Sequence, residues 1–246
     1  MMTSPNNRSR RGLAWAIVGG AVLLVGILAI ILAANFAGGP PKTPTETAPP
    51  GAIPTKTPIE PATGEFVDSS VTEKGWVPEP ITTDPETYIR AALAAASTFD
   101  TQLSARSEWL TNLDTWFTPD TRYASEEDRQ SDMQASQLEM RQGVVLPEAE
   151  WDSLANEDGR VVAAATGDIE YTDVPDDESG DMGIGTADVV LTFTRSDGNG
   201  GETSYEDIVR VSVQILCGEG AVATPNTAQQ SGDCKVVRYF SGSLEP

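Results

Sequence analysis

The 246-residue chain contains no histidine and only two cysteines, and aromatic residues make up 7% of it. Without histidine, Ser-His-Asp and Cys-His catalytic arrangements and histidine-ligated zinc are excluded. No G-x-S-x-G, phosphate-binding loop or dinucleotide fingerprint occurs either. Lysine is scarce, with 4 residues against 12 arginines. The 16 basic residues face 37 acidic ones, for a formal net charge of −21. A surface of that sign repels nucleic acid and anionic lipid headgroups, so nucleic acid is not an expected partner. The abundance of arginine and alanine is a compositional hint of a GC-rich bacterial source.

One long apolar run is present. Residues 12–37 carry no charged side chain and follow Arg8, Arg10 and Arg11. A hydrocarbon core about 30 Å thick takes roughly 20 helical residues, so this run is long enough to span with some tilt. It is longer than a signal-peptide core, although Ala33, Ala34 and Ala37 leave cleavage open. No cysteine lies just after it to carry a lipid anchor, the two in the chain being Cys217 and Cys234. The arginines before it, with no acidic residue among them, predict a cytoplasmic N-terminus. Residues 1–11 then form a short cytoplasmic tail, 12–37 a membrane helix, and the remainder lies outside the cell membrane. Ala16 and Gly20 make a small-xxx-small pair suited to close helix contact.

Residues 38–82 are dense in proline and threonine and poor in large apolar groups, which predicts an extended, semi-rigid linker. Its last part regains Phe66, Val71, Trp76 and Val77 and can dock along the edge of a folded domain. That domain is expected over 83–246. Thr83 with Glu86 fits a capping box and Pro85 suits a first helical turn, with Tyr88, Ala92, Ala95, Ala96 and Phe99 on one face. Trp109, Leu113, Trp116 and Phe117 predict a second helix ending near Pro119. Ser125 followed by Glu126, Glu127 and Asp128 starts a third, running to about Arg141.

The hydrophobic period then changes from 3.6 to 2. Val161, Ala163, Ala165, Ile169 and Tyr171 alternate with polar residues, as do Ala187, Val189, Leu191 and Phe193, and then Val209, Val211, Val213 and Ile215. The Asp-Gly-Asn-Gly-Gly stretch at 197–201 is a hairpin turn. A last strand begins near Lys235, and a short one is expected over 143–146. Helices followed by antiparallel strands make one α+β domain, with N-terminal helices on a curved sheet. Cys217 and Cys234 end and begin strand-like runs, so a structural disulfide closing the loop between them is expected.

Carboxylates are the remaining chemical candidates. Asp168 and Glu170 share a strand face opposite Ile169 and Tyr171 and read as solvated. Asp173, Asp176, Asp177, Glu178 and Asp181 crowd one loop, but their spacing does not match a calcium-binding loop. Asp100 and Asp114 on the helical part are the positions at which a buried catalytic acid would be sought. Tyr88, Phe99, Trp109, Trp116 and Phe117 form a candidate pocket or partner surface, against the plainer reading as helix core. No cofactor and no metal is implied.

The segment AALAAASTFDTQLSARSEWLTNLDTWFTP, ahead of a long-stranded antiparallel sheet, resembles nuclear-transport-factor-type domains, whose fold is a cone of helices on a curled sheet. The single span, short tail and linker with such a domain resemble bitopic bridging components of type IV secretion and conjugation machines in Gram-positive bacteria. They also resemble membrane proteins associated with actinobacterial lipid-import (Mce) systems. The resemblance implies a non-enzymatic scaffold that associates with itself and with other membrane proteins of an apparatus. A ligand-binding module that uses the cone cavity is the alternative.

Overall fold

The computed structural model describes residues 65–241. The expected tail, the expected membrane helix and most of the linker lie outside the described residues. Among the described residues no helix is long and apolar enough to cross a membrane.

Helix α1 (Pro85–Ala95) starts one residue later than the Thr83 capping box would place it. Asp84 is the N-cap instead, its carboxylate accepting from the Thr87 amide at 3.1 Å. Glu86 is thereby free to pair with Arg90 one turn on, at 2.7 Å. Helix α2 (Arg106–Asp114) stops short of Pro119. Trp116 and Thr118 use their backbone to bond Val236 of the last strand, so the chain leaves the helix to follow that strand. Helix α3 (Glu126–Gly143) begins at Ser125, whose hydroxyl accepts from the Asp128 amide, and has three acidic residues in its first turn.

Residues 143–146 do not form the expected strand. The Val144 and Val145 amides both donate to the Met140 carbonyl and close α3, and a further helix comes next, α4 (Glu148–Ala155). Two buried residues three apart, Trp151 and Leu154, hold this eight-residue helix in place. The Pro-Glu-Ala-Glu start, with acids in the first turn, was the sequence signal for it.

Five antiparallel strands run in the order β1 (Phe99–Asp100), β2 (Arg160–Asp173), β3 (Met182–Ser196), β4 (Glu202–Leu216), β5 (Lys235–Ser241). The fold is therefore α+β, as the change of period implies. Strands β3 and β4 pair without interruption from Met182↔Leu216 to Ser196↔Glu202, and the Asp197 carboxylate holds their turn by accepting from the Asn199 and Gly201 amides. Strand β2 bulges between Thr166 and Glu170, where Gly167 has φ +69°. Arg90 reaches from α1 to the Gly167 carbonyl at 2.8 Å. Beyond the bulge Ile169 is buried, but Tyr171, expected inward, is 55% exposed. It reaches the first turn of α1 near Asp84 and Glu86 rather than the interior.

One face of the sheet carries the main core, with α1 packed across β2, β3 and β4 and α3 along β5, and Tyr88, Leu93, Trp109 and Leu113 share that core with Val189, Val213 and Val236. The opposite face is open along most of its length. At one end a second cluster forms there from Val174, Met182, Ile184, Leu216, Ala221 and Val237. This cover buries Ser212 and Gln214, which alternate with the apolar face of β4; Ser212 bonds Thr186 at 2.7 Å.

Residues 65–82, which composition assigns to the linker, fold onto this body. Phe66 and Pro80 bridge, a 3-10 turn spans Ser69–Lys74, and the buried Trp76 donates from its indole to Ser104 at 2.8 Å. Gly75 reverses the chain with φ +75°, and a Cβ there would lie 2.7 Å from Asp100 Cβ.

Candidate functional site

The expected disulfide joins Cys217 to Cys234. Beside it lies the most deeply buried charge pair among the described residues. Lys235, 1% exposed, extends from the start of β5 to Glu79, 3% exposed, with Nζ 2.8 Å from Oε1. The ammonium also donates to the Thr115 carbonyl (2.7 Å) and Thr224 Oγ1 (2.9 Å), which uses all three of its protons. The same Glu79 oxygen accepts from the Tyr88 hydroxyl (2.7 Å) and Gln229 Nε2 (3.3 Å), while Oε2 has no protein partner. Burial lowers the Lys235 pKa and the Glu79 charge opposes that shift. Burial, together with Glu79, pushes Tyr88 well above the ordinary phenol range. The Cys234 amide donates to the Thr82 carbonyl at 2.8 Å. The end of the linker is thus clasped to the start of β5 by a backbone bond at the disulfide cysteine itself and an ion pair at the residue after it.

The five aromatic candidates lie in the interior. Trp151 stacks on both Phe99 and Trp109, which tilt against each other, with centroids 4.1–5.5 Å apart in the trio. Tyr88 tilts against Trp116, and Phe117 against Tyr239. Phe99 and Phe117 each reach the wall of a surface hollow. Neither candidate acid is a free carboxyl in a pocket. Asp100 caps the next turn by accepting from the Gln102 amide, and Asp114 pairs with Arg141. Burial raises the Asp114 pKa and Arg141 opposes the rise. Glu170 is paired with Arg210, which also holds Asp188. In the acidic loop, Asp177 accepts from the Ser179 and Met182 amides. Among the described residues no three ligating side chains gather to hold a metal ion.

A cavity of about 450 Å³ opens between the helix-facing side of the sheet and the α3–α4 connection. Val161, Leu191, Val209 and Val211 form its floor, Phe99 and Val145 line its walls, and Gln142, Asp207 and Ser241 stand among its lining residues. Sequence alternation marks the floor residues as core, but nothing local showed that the helices leave this end of the sheet uncovered.

With this geometry in hand, the chain can be set beside known proteins. No family model and no curated protein matches the sequence. Two solved structures are similar. One is an IcmL-like type IV secretion system protein from Legionella pneumophila, at 13% identity and TM-score 0.38, covering 66% of this chain and 95% of that one. The other is CagV, a VirB8 homolog of the type IV secretion system of Helicobacter pylori, at 13% identity and TM-score 0.35, covering 63% and 93%.

Proposed function

We propose that this protein is a non-enzymatic, membrane-anchored assembly component of a bacterial transfer or secretion apparatus. In this reading its N-terminus is cytoplasmic, residues 12–37 span the membrane, and the domain outside associates with its own copies and with other membrane proteins. The observation that carries the reading is the clasp. The Glu79–Lys235 pair and the Thr82–Cys234 bond build the end of the linker into the domain. Residues 65–82 are thereby part of the packed domain, so the surface it offers to partners includes the end of the linker, which suits a component that acts through its surfaces. The anchor-like run and the proline-rich linker in the sequence support the same role, whether in the conjugation-type machines or in the lipid-import setting that the layout resembles.

The test is crosslinking of the tagged full-length protein in its native membrane, with identification of what is captured. Copies of itself together with other bitopic proteins and a secretion ATPase are the expected companions. Recovery of uncrosslinked monomer alone, or release of the protein from membranes by alkaline carbonate, would overturn the proposal.

The 450 Å³ apolar cavity favours a second reading, an extracytoplasmic module for a small apolar or cationic ligand. Native mass spectrometry of the full-length protein purified from membranes distinguishes the two, because the ligand module retains a bound small molecule and the scaffold does not.

A further inference from the structure

Strand β4 is fifteen residues long, but β5 pairs only with its second half, from Val211 to Leu216. Among the described residues no strand lies against the outer edge of β4 between Thr203 and Arg210, while its other edge is paired to β3 throughout. The exposed Ile208 amide donates instead to the carboxylate of its own neighbour, Asp207, at 2.8 Å. This open edge adjoins apolar surface on both faces of the sheet. On the helix-facing side Val209 and Leu191 line the cavity. On the other side the cross-strand row Ala164–Val190–Ile208 runs beside Val162, with Ile208 63% and Val162 44% exposed. An open edge next to two apolar surfaces is the geometry on which an extended segment adds a strand. Its backbone bonds the edge, and its alternate side chains fall on the two faces.

Charge selects the occupant. Glu206 and Asp207 are adjacent on the edge, and the nearest arginine, Arg210, is already held by Glu170 and Asp188. A second copy pairing antiparallel about this point would set these carboxylates against their own counterparts. Like charges directly opposite are destabilising.

We propose that the β4 edge from Thr203 to Arg210 is a docking site for an extended, basic segment of another protein. That segment adds a sixth strand, with lysine or arginine beside Glu206 and Asp207 and an apolar side chain entering the cavity mouth. The inference rests on the assembly role above for its biological sense. Its test needs no apparatus, so either can fail without the other.

The probe is an eight-residue capped peptide with two adjacent lysines at its centre, one for each face of the sheet, flanked by valines and threonines, added to the full-length protein in detergent at about 0.15 M salt, where only short-range charge pairing persists. The readout is amide hydrogen exchange across β4. The expected result is slowed exchange over 203–210 with this peptide, and none with its glutamate counterpart or with a form of equal charge carrying proline at alternate valines, which cannot donate to the edge. Glu206→Gln with Asp207→Asn keeps the shape and one acceptor oxygen at each position while removing the charge, and should weaken binding roughly tenfold with unfolding unchanged. Protection by all three peptides alike, or protection elsewhere only, would overturn the proposal. Protection without peptide that disappears on deletion of residues 242–246 would assign the edge to the chain's own tail. Protection without peptide that grows with protein concentration would assign it to a second copy. Either of these last two results also overturns it.

Discussion

Lys235 and Glu79 are 156 residues apart in sequence and meet at 2.8 Å in the interior, joining the end of the linker to the final strand. Two charges taken from water at this depth are tolerable only because each finds several partners, and removing one leaves the other unpaired. Lys235→Met is therefore expected to cost about 3–5 kcal/mol, read as a lower urea midpoint by tryptophan fluorescence. Glu79→Leu combined with Lys235→Met should recover most of that loss, because an apolar pair has no stranded charge. A double variant as unstable as the single one would show that packing rather than charge is at stake.

Tyrosine ionisation reports on the same region. Tyr88 and Tyr239 are held un-ionised by burial, each with its pKa raised above the ordinary value of 10.0, whereas Tyr123, Tyr171 and Tyr205 are exposed. Since the folded state keeps protons that the unfolded state releases, their contribution is intact below pH 10 and is lost as pH rises. Lys235, with its pKa lowered by burial, acts in the opposite sense up to its ordinary 10.5. Above that, stability should fall by about 1.4 kcal/mol per pH unit for each buried tyrosine. Absorbance near 295 nm should show an early reversible step that includes the exposed Tyr123 and Tyr171, and a second step from Tyr88 and Tyr239 that appears only with unfolding. Tyr88→Phe should halve the second amplitude.

The Cys217–Cys234 bridge closes a loop over a sequence separation of 17, and that loop contributes Ala221 to the second core and Gln229 to Glu79. Replacing both cysteines with serine should cost about 3 kcal/mol by the loop-entropy estimate. Faster proteolysis is expected within 218–233 in the variant, with the β3–β4 turn cleaved no faster than before.

Gly185 of β3 lies under the Ile89 side chain of α1. A Cβ on it would lie 2.5 Å from Ile89 Cδ1 and 3.0 Å from Ile169 Cγ2, both on buried side chains. Gly185→Ala should destabilise by about 1–3 kcal/mol through overpacking. Adding Ile89→Val, which removes the nearer methyl, should return part of it in a thermal melt.

The features that local chemistry specifies were legible in the sequence. Pro85 and Ser125 with its acidic successors mark helix starts, although the side chain that satisfies the first free amides of α1 is that of Asp84 and not the expected Thr83. The alternation of Val161 to Ile169 and of Val209 to Ile215 assigns the core face of each strand, and Asp197 to Gly201 marks the hairpin. The two cysteines had only each other to pair with. What the sequence could not decide depends on partners far along the chain. Phe99–Asp100 is a strand only because Arg160–Val161 pairs with it, and α2 ends early because Val236 takes up the backbone beyond it. Ser212 and Gln214 alternate as an exposed face would, yet the disulfide loop covers them. Glu79 and Lys235 look like ordinary surface charges in a polar linker and at a strand start. Only the packed structure removes them from water together, and only it leaves the first half of β4, among the described residues, paired on one edge alone, because pairing and burial are set by which distant segments meet.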